Sequence, residues 1–422
     1  MTTKTFENLL VFNLLLLLLP IGVSAQTQSL KVLFLGNSYT QYNNLPLLLS
    51  NIALSSGDTV ITDANTPGGH TFMGHSTNSV SLGKINSQKW DYAVLQEQSQ
   101  LPSFPDADVE ELVYPYATAL DSLIHANHAC TQTVFYMTWG RKNGDAQNCP
   151  TWPPVCTYAG MDSLLALRYS KMAEDNKALL SPVGAVWKYL RANNPSIELY
   201  NADESHPSLA GSYAAACCFY TILLKKDPTQ ITYNGGLATN QALAIREAAK
   251  MIVYQKLGDW NVGEFGPKAS FTYQTDKPRT IQFQNAATNA DSYLWEFGDG
   301  DTSSQFEPLH TYKTTGNFRV TLTAHKCSEN DTAWTEININ STGINQVGSQ
   351  KVQVFPNPAN GLIQVEIAEN LIGLEYQIID IYGKRLLTGI LQNSQSQISL
   401  ETLPAGLYSL QLGKVCQKFI KE

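Results

Sequence analysis

Short apolar runs alternate with longer amphipathic stretches through the first 257 residues of the chain. The short runs are rich in strand-forming residues, and the stretches between them, such as GMDSLLALRYSKMAEDNKALL (160–180), carry apolar residues at helical spacing. Strands that alternate with helices in this way predict a parallel sheet covered on both faces. The predicted strands are LKVLFLG (30–36), DTVITDANT (58–66), WDYAVLQ (90–96), QTVFYMTW (132–139) and SIELYNA (196–202).

The pattern changes after Gly258, where helical spacing gives way to short alternating strands. Residues 268–340 read as a small β-sandwich. The polar stretch NSTGINQVGSQK then leads to a second block of strands and turns over residues 351–422. A chain of 422 residues is expected to hold two or three domains. We therefore predict three, at residues 29–257, 268–340 and 351–422.

The first 25 residues have the pattern of a secretory signal peptide. Lys4 precedes a short apolar stretch, and the small residues VSA end at Ala25. Asn13 and Pro20 interrupt the apolar stretch, which is short for a membrane span. Export is therefore expected, and a membrane anchor is the alternative.

Charge and cysteine usage agree with an exported protein. The net charge is −8 and only 15% of residues are charged, which argues against a nucleic-acid partner because such a partner requires a basic face. Export permits disulfides, and Cys149 and Cys156, which bracket the Pro-rich segment CPTWPPVC, are the best candidate pair. Cys217 and Cys218 lie side by side in an apolar helical stretch and are expected to be buried thiols.

Two segments that follow predicted strands contain the residue types of a serine hydrolase. Ser38 lies in LFLGNSYT (33–40), directly after the first strand, where parallel sheets bind their ligands. Asp203 and His206 lie in YNADESHPS, after the fifth, at a spacing that places both on one side of a turn. The carboxylate can orient the imidazole, which can then accept the serine proton. The alternative for Ser38 is an ordinary capping residue in a strand-to-helix turn.

Two further segments offer donors for an oxyanion hole. TPGGHTF (66–72) follows the second strand, and the backbone N–H groups of Gly68 and Gly69 can approach a developing oxyanion. A plain Gly-Gly turn is the alternative. VLQEQSQ follows the third strand, and we favour Gln96 over Gln98 as a side-chain donor. Surface polar residues that flank a strand end are the other reading of these glutamines.

The segments LFLGNSYT, PGGHTF, VLQEQS and DESHP, in this order, resemble the motifs of the SGNH/GDSL hydrolase superfamily. The resemblance covers residues 29–257. It implies a flavodoxin-like three-layer α/β/α sandwich with a five-stranded parallel sheet, and hydrolysis of esters, often acyl groups on carbohydrates or lipids. It makes Ser38 the nucleophile, His206 the general base and Asp203 the orienting acid. Ser38 N–H, Gly69 and Gln96 then form the oxyanion hole.

Two positions depart from the usual motifs of this superfamily. Asn37 stands where many members have aspartate, and VLQEQS replaces a Gly-x-Asn setting, so that Gln96 has to substitute for an asparagine. No metal and no cofactor are expected. His70 and His75, in GHTFMGH, are interpreted as polar residues near the cleft rather than as metal ligands.

The two C-terminal blocks also resemble known domains. The segment SYLWEFGDGDTSSQFEPLHTYKTTGNFRVTLTA resembles a PKD domain, an immunoglobulin-like β-sandwich. Asp299 and Asp301 suggest calcium, but turn chemistry explains them as well, and His310 is expected to be structural. FPNPANG, IIDIYGKRL, LPAGLYSLQL and CQKFIKE resemble the C-terminal sorting domain of the type IX secretion system. That resemblance implies export across the outer membrane, with the secretion machinery as a partner and a secreted or cell-surface location.

These observations together predict a secreted serine esterase that hydrolyses acyl esters, acetyl foremost, on carbohydrates. The first alternative is a surface adhesin or carbohydrate-binding protein whose α/β domain has lost catalysis. The matched set of Ser38, Asp203 and His206 argues against it, because a retired active site has no reason to keep all three groups. The second alternative is a peptidase or amidase that uses the same triad.

Overall fold

The computed structural model describes residues 27–340, 352–368, 371–380, 384–413 and 415–422. The predicted signal peptide and most of the polar linker lie outside the described residues. The chain divides into two compact units, the first ending at Phe265 and the second beginning at Gly266. No helix within the described ranges combines the length and the apolar character needed to cross a membrane.

A parallel sheet forms the centre of the first unit. Its strands are β1 (Ser29–Leu35), β2 (Thr59–Asn65), β3 (Tyr92–Leu95), β4 (Gln132–Tyr136) and β5 (Leu179–Ser181). Their order is β2-β1-β3-β4-β5, and all neighbours are parallel. This is the flavodoxin-like order, and the strand sequence reverses between β1 and β3. The predicted fold class is therefore confirmed, and the carboxyl ends of β1 and β3 mark the place where such folds bind ligands.

Helices cover both faces of this sheet. In β1, Val32 and Phe34 pack into one apolar core, whereas Leu33 and Leu35 pack into the other, as the alternation of a strand requires. The result is a three-layer sandwich. The helices are α1 (Ser38–Gln41), α2 (Leu45–Leu54), α3 (Phe72–Thr77), α4 (Ser79–Asn86), α5 (Asp106–Leu112), α6 (Tyr114–Asn127), α7 (Tyr158–Asp175), α8 (Val183–Asn193), α9 (Leu209–Leu224) and α10 (Thr239–Ile252).

The fifth strand is not the predicted one. Residues 196–202 form no strand of the sheet, and Tyr200 makes only an isolated bridge with Pro207. Their alternating apolar residues are buried by packing into the core rather than by a ladder. The true edge strand is β5, which the sequence pattern assigned to the end of the preceding helix. Three residues are too few for periodicity to separate a strand from a helix.

The predicted cysteine chemistry is confirmed in this unit. Cys149 and Cys156 form a disulfide with a Cα–Cα distance of 4.6 Å. Cys217 and Cys218 are buried free thiols in α9. Burial raises the pKa of Cys217 to about 12, so the thiol stays neutral and inert.

The second unit is all-β. Its strands are β6 (Phe271–Lys277), β7 (Thr280–Asn285), β8 (Ser292–Glu296), β9 (Thr302–Ser303), β10 (Leu309–Thr311), β11 (Gly316–Lys326), β12 (Glu329–Ile339), β13 (Gln353–Phe355), β14 (Leu362–Glu366), β15 (Glu375–Asp380), β16 (Arg385–Ile390), β17 (Gln395–Ser399), β18 (Gly406–Leu412) and β19 (Val415–Lys421). They form antiparallel sheets in the orders β10-β7-β6 and β12-β11-β8-β9, then β13-β14-β17 and β16-β15-β18-β19.

His310 is a packed structural residue of the first two of these sheets, as predicted. Its ring stacks on Phe297 with centroids 4.0 Å apart, and its Nε2 lies 2.8 Å from Asp299 Oδ2. Asp299 Oδ1 also accepts the backbone N–H of Asp301 at 3.1 Å, which closes the predicted turn. Trp295 and Phe297 are buried in the same core.

Candidate active site

The imidazole of His206 lies between the hydroxyl of Ser38 and the carboxylate of Asp203. His206 Nε2 is 2.8 Å from Ser38 Oγ, although the two residues are 168 positions apart. His206 Nδ1 is in hydrogen-bond contact with Asp203 Oδ2. An ionised carboxylate only accepts hydrogen bonds, so Nδ1 carries the hydrogen and Nε2 is free to accept the serine proton. The structure thus brings together the three side chains that the sequence predicts as a triad.

Asp203 is held by the turn in which it lies, residues 201–208, here called the Asp–His loop. Its Oδ1 accepts the backbone N–H groups of Ser205 at 3.1 Å and His206 at 3.0 Å. Burial would raise the pKa of Asp203, but the hydrogen bonds from His206 and from these N–H groups outweigh it and hold the pKa below its ordinary value. The carboxylate is therefore ionised at neutral pH, although 46% of its side chain is exposed.

Aromatic rings from the segment after Ser38 hold the imidazole in place. The ring of Tyr42 stacks on His206 with centroids 4.4 Å apart and planes 19° apart. Tyr39 meets the same imidazole edge-on at 5.4 Å and stacks on Trp139 at 4.9 Å.

Hydrogen bonds join the same segment to the Asp–His loop. The hydroxyl of Tyr39 lies 2.6 Å from Ser205 Oγ. Asn43 has a positive φ of 55°, and its side-chain amide donates to the carbonyls of Pro207 at 3.2 Å and Ser208 at 3.1 Å. These hydrogen bonds therefore join the segment that carries the Ser38 hydroxyl to the loop that carries the His206 imidazole.

The side chains of Gln96 and Asn37 hold the turn that carries Ser38. A Cβ on Gly36 would lie 2.7 Å from Gln96 Oε1, so this close approach requires glycine. Asn37 caps α1, because its side chain accepts the N–H of Tyr39 at 3.1 Å. Ser38 N–H is the first amide of that helix and has no intrahelical acceptor.

The segment 66–72, here called the glycine loop, follows β2. Gly69 has a φ of 67°, a left-handed conformation that favours glycine, and it is exposed to solvent. Side chains hold the loop at two later positions. Asn37 Nδ2 donates to the carbonyl of His70 at 3.0 Å, and Glu97 Oε2 accepts the N–H of Phe72 at 3.0 Å.

The contacts of Gln96 differ from the oxyanion role expected of it. Its side chain is fully buried, and its amide nitrogen donates to Asn37 Oδ1 at 3.0 Å and to the carbonyl of Glu97. Its Oε1 accepts the N–H of Asn37 at 3.0 Å. Both amide hydrogens are engaged, so Gln96 supports the Ser38 turn rather than offering a donor. Gln98 closes a local turn, accepting the N–H of Gln100 at 2.7 Å.

Two residues of this region received no role from the sequence. Asn37 stood out only as a departure from a motif, and Glu97 only as a neighbour of Gln96. Both are buried, and we call Asn37, Gln96 and Glu97 the buried polar network. Burial raises the pKa of Glu97 to about 8, against the pull of backbone hydrogen bonds from Gln98 and Phe72. Asn37 and Glu97 lie just after the ends of β1 and β3. Polar residues at such positions, next to apolar strands, are the sequence signal that could have identified both.

His75 is a fully buried structural residue, whereas the sequence analysis interpreted it as a polar residue near the cleft. Its Nε2 lies 2.8 Å from the carbonyl of Gly36, which can only accept, so Nε2 carries the hydrogen. Its Nδ1 then accepts from Ser81 Oγ at 2.7 Å. Burial lowers the pKa of His75 to about 4. Both ring nitrogens are engaged, and the neighbouring His70 ring meets the His75 ring edge-on at 4.6 Å.

Several solved structures are similar to this chain. A DUF4886 family protein from Bacteroides uniformis is 19% identical, and the match covers 54% of this chain and 95% of that one, with a TM-score of 0.47. A proposed SGNH hydrolase from Slackia heliotrinireducens is 26% identical over 45% and 97% of the chains, with a TM-score of 0.38. The psychrotrophic esterase EstA from Pseudoalteromonas sp. is 16% identical over 46% and 97%, with a TM-score of 0.34. None of the curated proteins compared with this chain matches it.

Family models match the second half of the chain. The model of the PKD domain matches residues 262–340. The model of the secretion system C-terminal sorting domain matches residues 353–422. Both resemblances expected from the sequence are thus confirmed. The chain carries a PKD domain followed by a type IX secretion sorting domain, and it is exported to the cell surface or the medium.

Proposed function

We propose that the first unit is a serine esterase that hydrolyses acyl esters through an acyl-enzyme. The observation that carries this proposal is the continuous contact from Ser38 Oγ to His206 Nε2 at 2.8 Å, and from His206 Nδ1 to Asp203. The contact lies at the carboxyl edge of the sheet, where the strand order reverses.

In the proposed reaction, Ser38 Oγ attacks the ester carbonyl carbon while His206 Nε2 takes the hydroxyl proton. Asp203 and the stacked ring of Tyr42 stabilise the imidazolium that forms. The N–H groups of Ser38 and Gly69 receive the oxyanion of the tetrahedral intermediate. His206 then protonates the leaving alcohol oxygen. Water, activated by the same imidazole, attacks the acyl-enzyme, releases the acid and restores Ser38.

As substrates we propose short acyl esters, acetyl foremost, on carbohydrates. Export brings the enzyme to the cell surface or the medium, where such polymers are found. The exposure of the site supports a bulky substrate, because Ser38 is only half-buried and 46% of the Asp203 side chain is exposed. A polymer-borne ester can reach such a site without threading into the fold.

The test compares the full chain with its Ser38→Ala variant on 4-nitrophenyl acetate and on acetylated oligosaccharides. We expect turnover to fall by at least about 10⁴-fold, since removal of a serine nucleophile leaves only binding and oxyanion effects. Ser87→Ala, which removes an exposed hydroxyl on α4's C-terminal side, is the matched control and should keep full activity. Equal rates for Ser38→Ala and the parent chain would contradict the proposal. Glycan binding without ester turnover would favour the non-catalytic alternative.

A further inference from the structure

A carboxylate that the proposed reaction does not use lies beneath the glycine loop. Glu97 is fully buried. Burial without hydrogen-bond partners is unfavourable for either protonation state of a carboxyl group, and burial raises the pKa of Glu97 to about 8, so the protonated form predominates at neutral pH. The compensating partners of Glu97 are two backbone groups, Phe72 N–H at 3.0 Å from Oε2 and Gln98 N–H at 2.5 Å from Oε1. Each carboxylate oxygen therefore faces a donor.

The same loop has a second anchor, which comes from the residue before Ser38. Asn37 Nδ2 donates to the carbonyl of His70 at 3.0 Å and reaches the carbonyl of Glu97 at 3.4 Å. The buried polar network thus joins the Ser38 turn, the glycine loop and the end of β3. The anchored positions, His70 and Phe72, lie one and three residues after Gly69.

Packing does not hold Gly69 itself. Apart from Gly69 and its two chain neighbours, no heavy atom of the described residues lies within 4 Å of the position that a Cβ would occupy on Gly69, and the residue is exposed. The direction of its N–H is therefore set by the turn in which His70 N–H donates to the carbonyl of Pro67 at 3.2 Å, and by the side-chain hydrogen bonds at His70 and Phe72. Because an oxyanion donor is effective only when it is oriented in advance, the anchors of the loop bear directly on the reaction.

We propose that Glu97 is a positioning residue of the oxyanion hole, which fixes the glycine loop through Phe72 N–H and so orients Gly69 N–H toward the tetrahedral intermediate. This inference rests on the proposed esterase function. It also gives a physical meaning to the segment VLQEQS. Gln96 and Glu97 support the donors of other segments instead of contributing a donor of their own.

The replacement Glu97→Gln separates this role from simple packing. Glutamine has nearly the same volume, but its NH₂ group must face one of the two backbone N–H donors, so that one hydrogen bond becomes a repulsive contact. Interactions that act only in the transition state change kcat rather than KM. A misdirected Gly69 N–H should therefore lower kcat while KM stays close to that of the parent chain.

The experiment measures kcat and KM on 4-nitrophenyl acetate, and the affinity for phenylboronic acid, which forms a tetrahedral adduct on a reactive serine. We expect Glu97→Gln to lower kcat by roughly tenfold, less than the 10²–10³-fold effect of deleting an oxyanion donor outright. The boronate affinity should fall by a similar factor, and KM should change by less than about twofold. Should this variant fail to fold, Glu97→Asp retracts the carboxylate by one methylene group and should lower kcat in the same way.

The matched control is Asp58→Asn. Asp58 is also fully buried and accepts a backbone N–H, from Gln28 at 2.9 Å, although it is in addition paired with Lys226 Nζ at 2.7 Å. It precedes β2, at the end of the sheet away from the glycine loop. Its replacement should lower stability without changing kcat. In addition, Glu97→Gln and Gly69→Ala should combine non-additively if Glu97 acts through Gly69.

The outcomes distinguish this inference from the function on which it rests. An inactive parent chain overturns the esterase proposal and this inference with it. An active parent chain whose Glu97→Gln variant keeps its kcat and boronate affinity overturns only the positioning role. Strict additivity with Gly69→Ala does the same.

Discussion

The two sides of the candidate active site are built in opposite ways. The Asp–His loop is open to water, and Asp203 is bonded to residues two and three positions along the chain. The buried polar network is enclosed, and it joins residues that are 25 to 60 positions apart, such as Glu97 with Phe72 and Asn37 with Glu97. The hydrogen bonds of Asp203 are local and exposed to water, whereas those of the buried polar network link distant parts of the chain and are shielded from water.

Under the proposed mechanism this difference has a physical reason. The side that carries His206 gains and loses a charge in every turnover, and water together with Asp203 lowers the free energy of the imidazolium. The side that carries Gly69 has to be oriented before the oxyanion exists, because donors that reorganise during the reaction lose most of their effect. A buried, fully bonded network provides that rigidity.

Among the variants Asp203→Asn, His75→Gln and Tyr39→Phe, loss of the Asp203 carboxylate should have the largest effect. In Asp203→Asn, the amide oxygen should take the place of Oδ1, which accepts the N–H groups of Ser205 and His206. The NH₂ group then faces His206 Nδ1 and selects the tautomer with a hydrogen on Nε2, which cannot accept the serine proton. We expect kcat to fall by about 10⁴-fold, as for other orienting acids.

The control for this variant lies next to it. Glu204→Gln makes the same change of charge in the same loop, at a side chain that contacts Asn143 Nδ2 at 2.8 Å rather than His206. Its kcat should stay within about twofold of the parent value, because exposed charges have weak effects at a distance. Equal losses in both variants would show that net charge, and not the tautomer of His206, determines the rate.

On the buried side of the site, His75 contacts the carbonyl of Gly36, and it should make the free energy of unfolding depend on pH. Burial lowers the pKa of His75 to about 4, from about 6.5 in the unfolded chain. The folded state therefore prefers the neutral ring, so its contribution to stability is complete above pH 6.5 and is lost as the pH falls toward 4. The expected loss across this window is about 3 kcal/mol.

The measurement is the free energy of unfolding at pH 7, 5 and 4, followed by tryptophan fluorescence, for the parent chain and for His75→Gln. The variant has no titrating ring at this position, so the difference in stability between the two proteins should shrink as the solution becomes acidic. Stability curves that stay parallel from pH 7 to pH 4 would rule out a buried neutral imidazole.

The same contrast explains which parts of the site could be predicted from sequence. Asp203 and His206 are three positions apart, so their contact is visible in a single segment. Ser38 was joined to them on the expectation that both segments follow strands of one parallel sheet. That holds for Ser38, which follows β1, but residues 196–202 form no strand, so the order of the motifs carried the rest of the prediction. The fold class follows in the same way, from alternating strand and helix patterns.

The rest depended on contacts that no local pattern contains. The sequence around Gln96 does not reveal that its side-chain amide donates to Asn37, which is 59 positions away. Glu97 received no role because its partner Phe72 belongs to another loop. The strand β5 was missed because it has only three residues and begins four positions after the end of α7. In each case the information lies in tertiary packing, which periodicity and motif spacing do not report.

The smallest of these effects should appear at the junction between the two sides. Tyr39 is buried next to Ser38, and its hydroxyl lies 2.6 Å from Ser205 Oγ in the Asp–His loop. Tyr39→Phe keeps the ring contacts with Trp139 and His206 but removes this hydrogen bond, which is worth about 1 kcal/mol. We expect kcat to fall by roughly fivefold, because the distance from Ser38 Oγ to His206 Nε2 is then held less tightly.

Tyr136→Phe is the matched control, since the Tyr136 hydroxyl is equally buried but has no hydrogen-bond partner among the described residues. That variant should keep its kcat and be at least as stable as the parent chain, because it removes a buried polar group that is unsatisfied. A loss of activity in Tyr136→Phe as large as that in Tyr39→Phe would mean that the aromatic core as a whole, and not the bond to Ser205, sets the geometry of the triad.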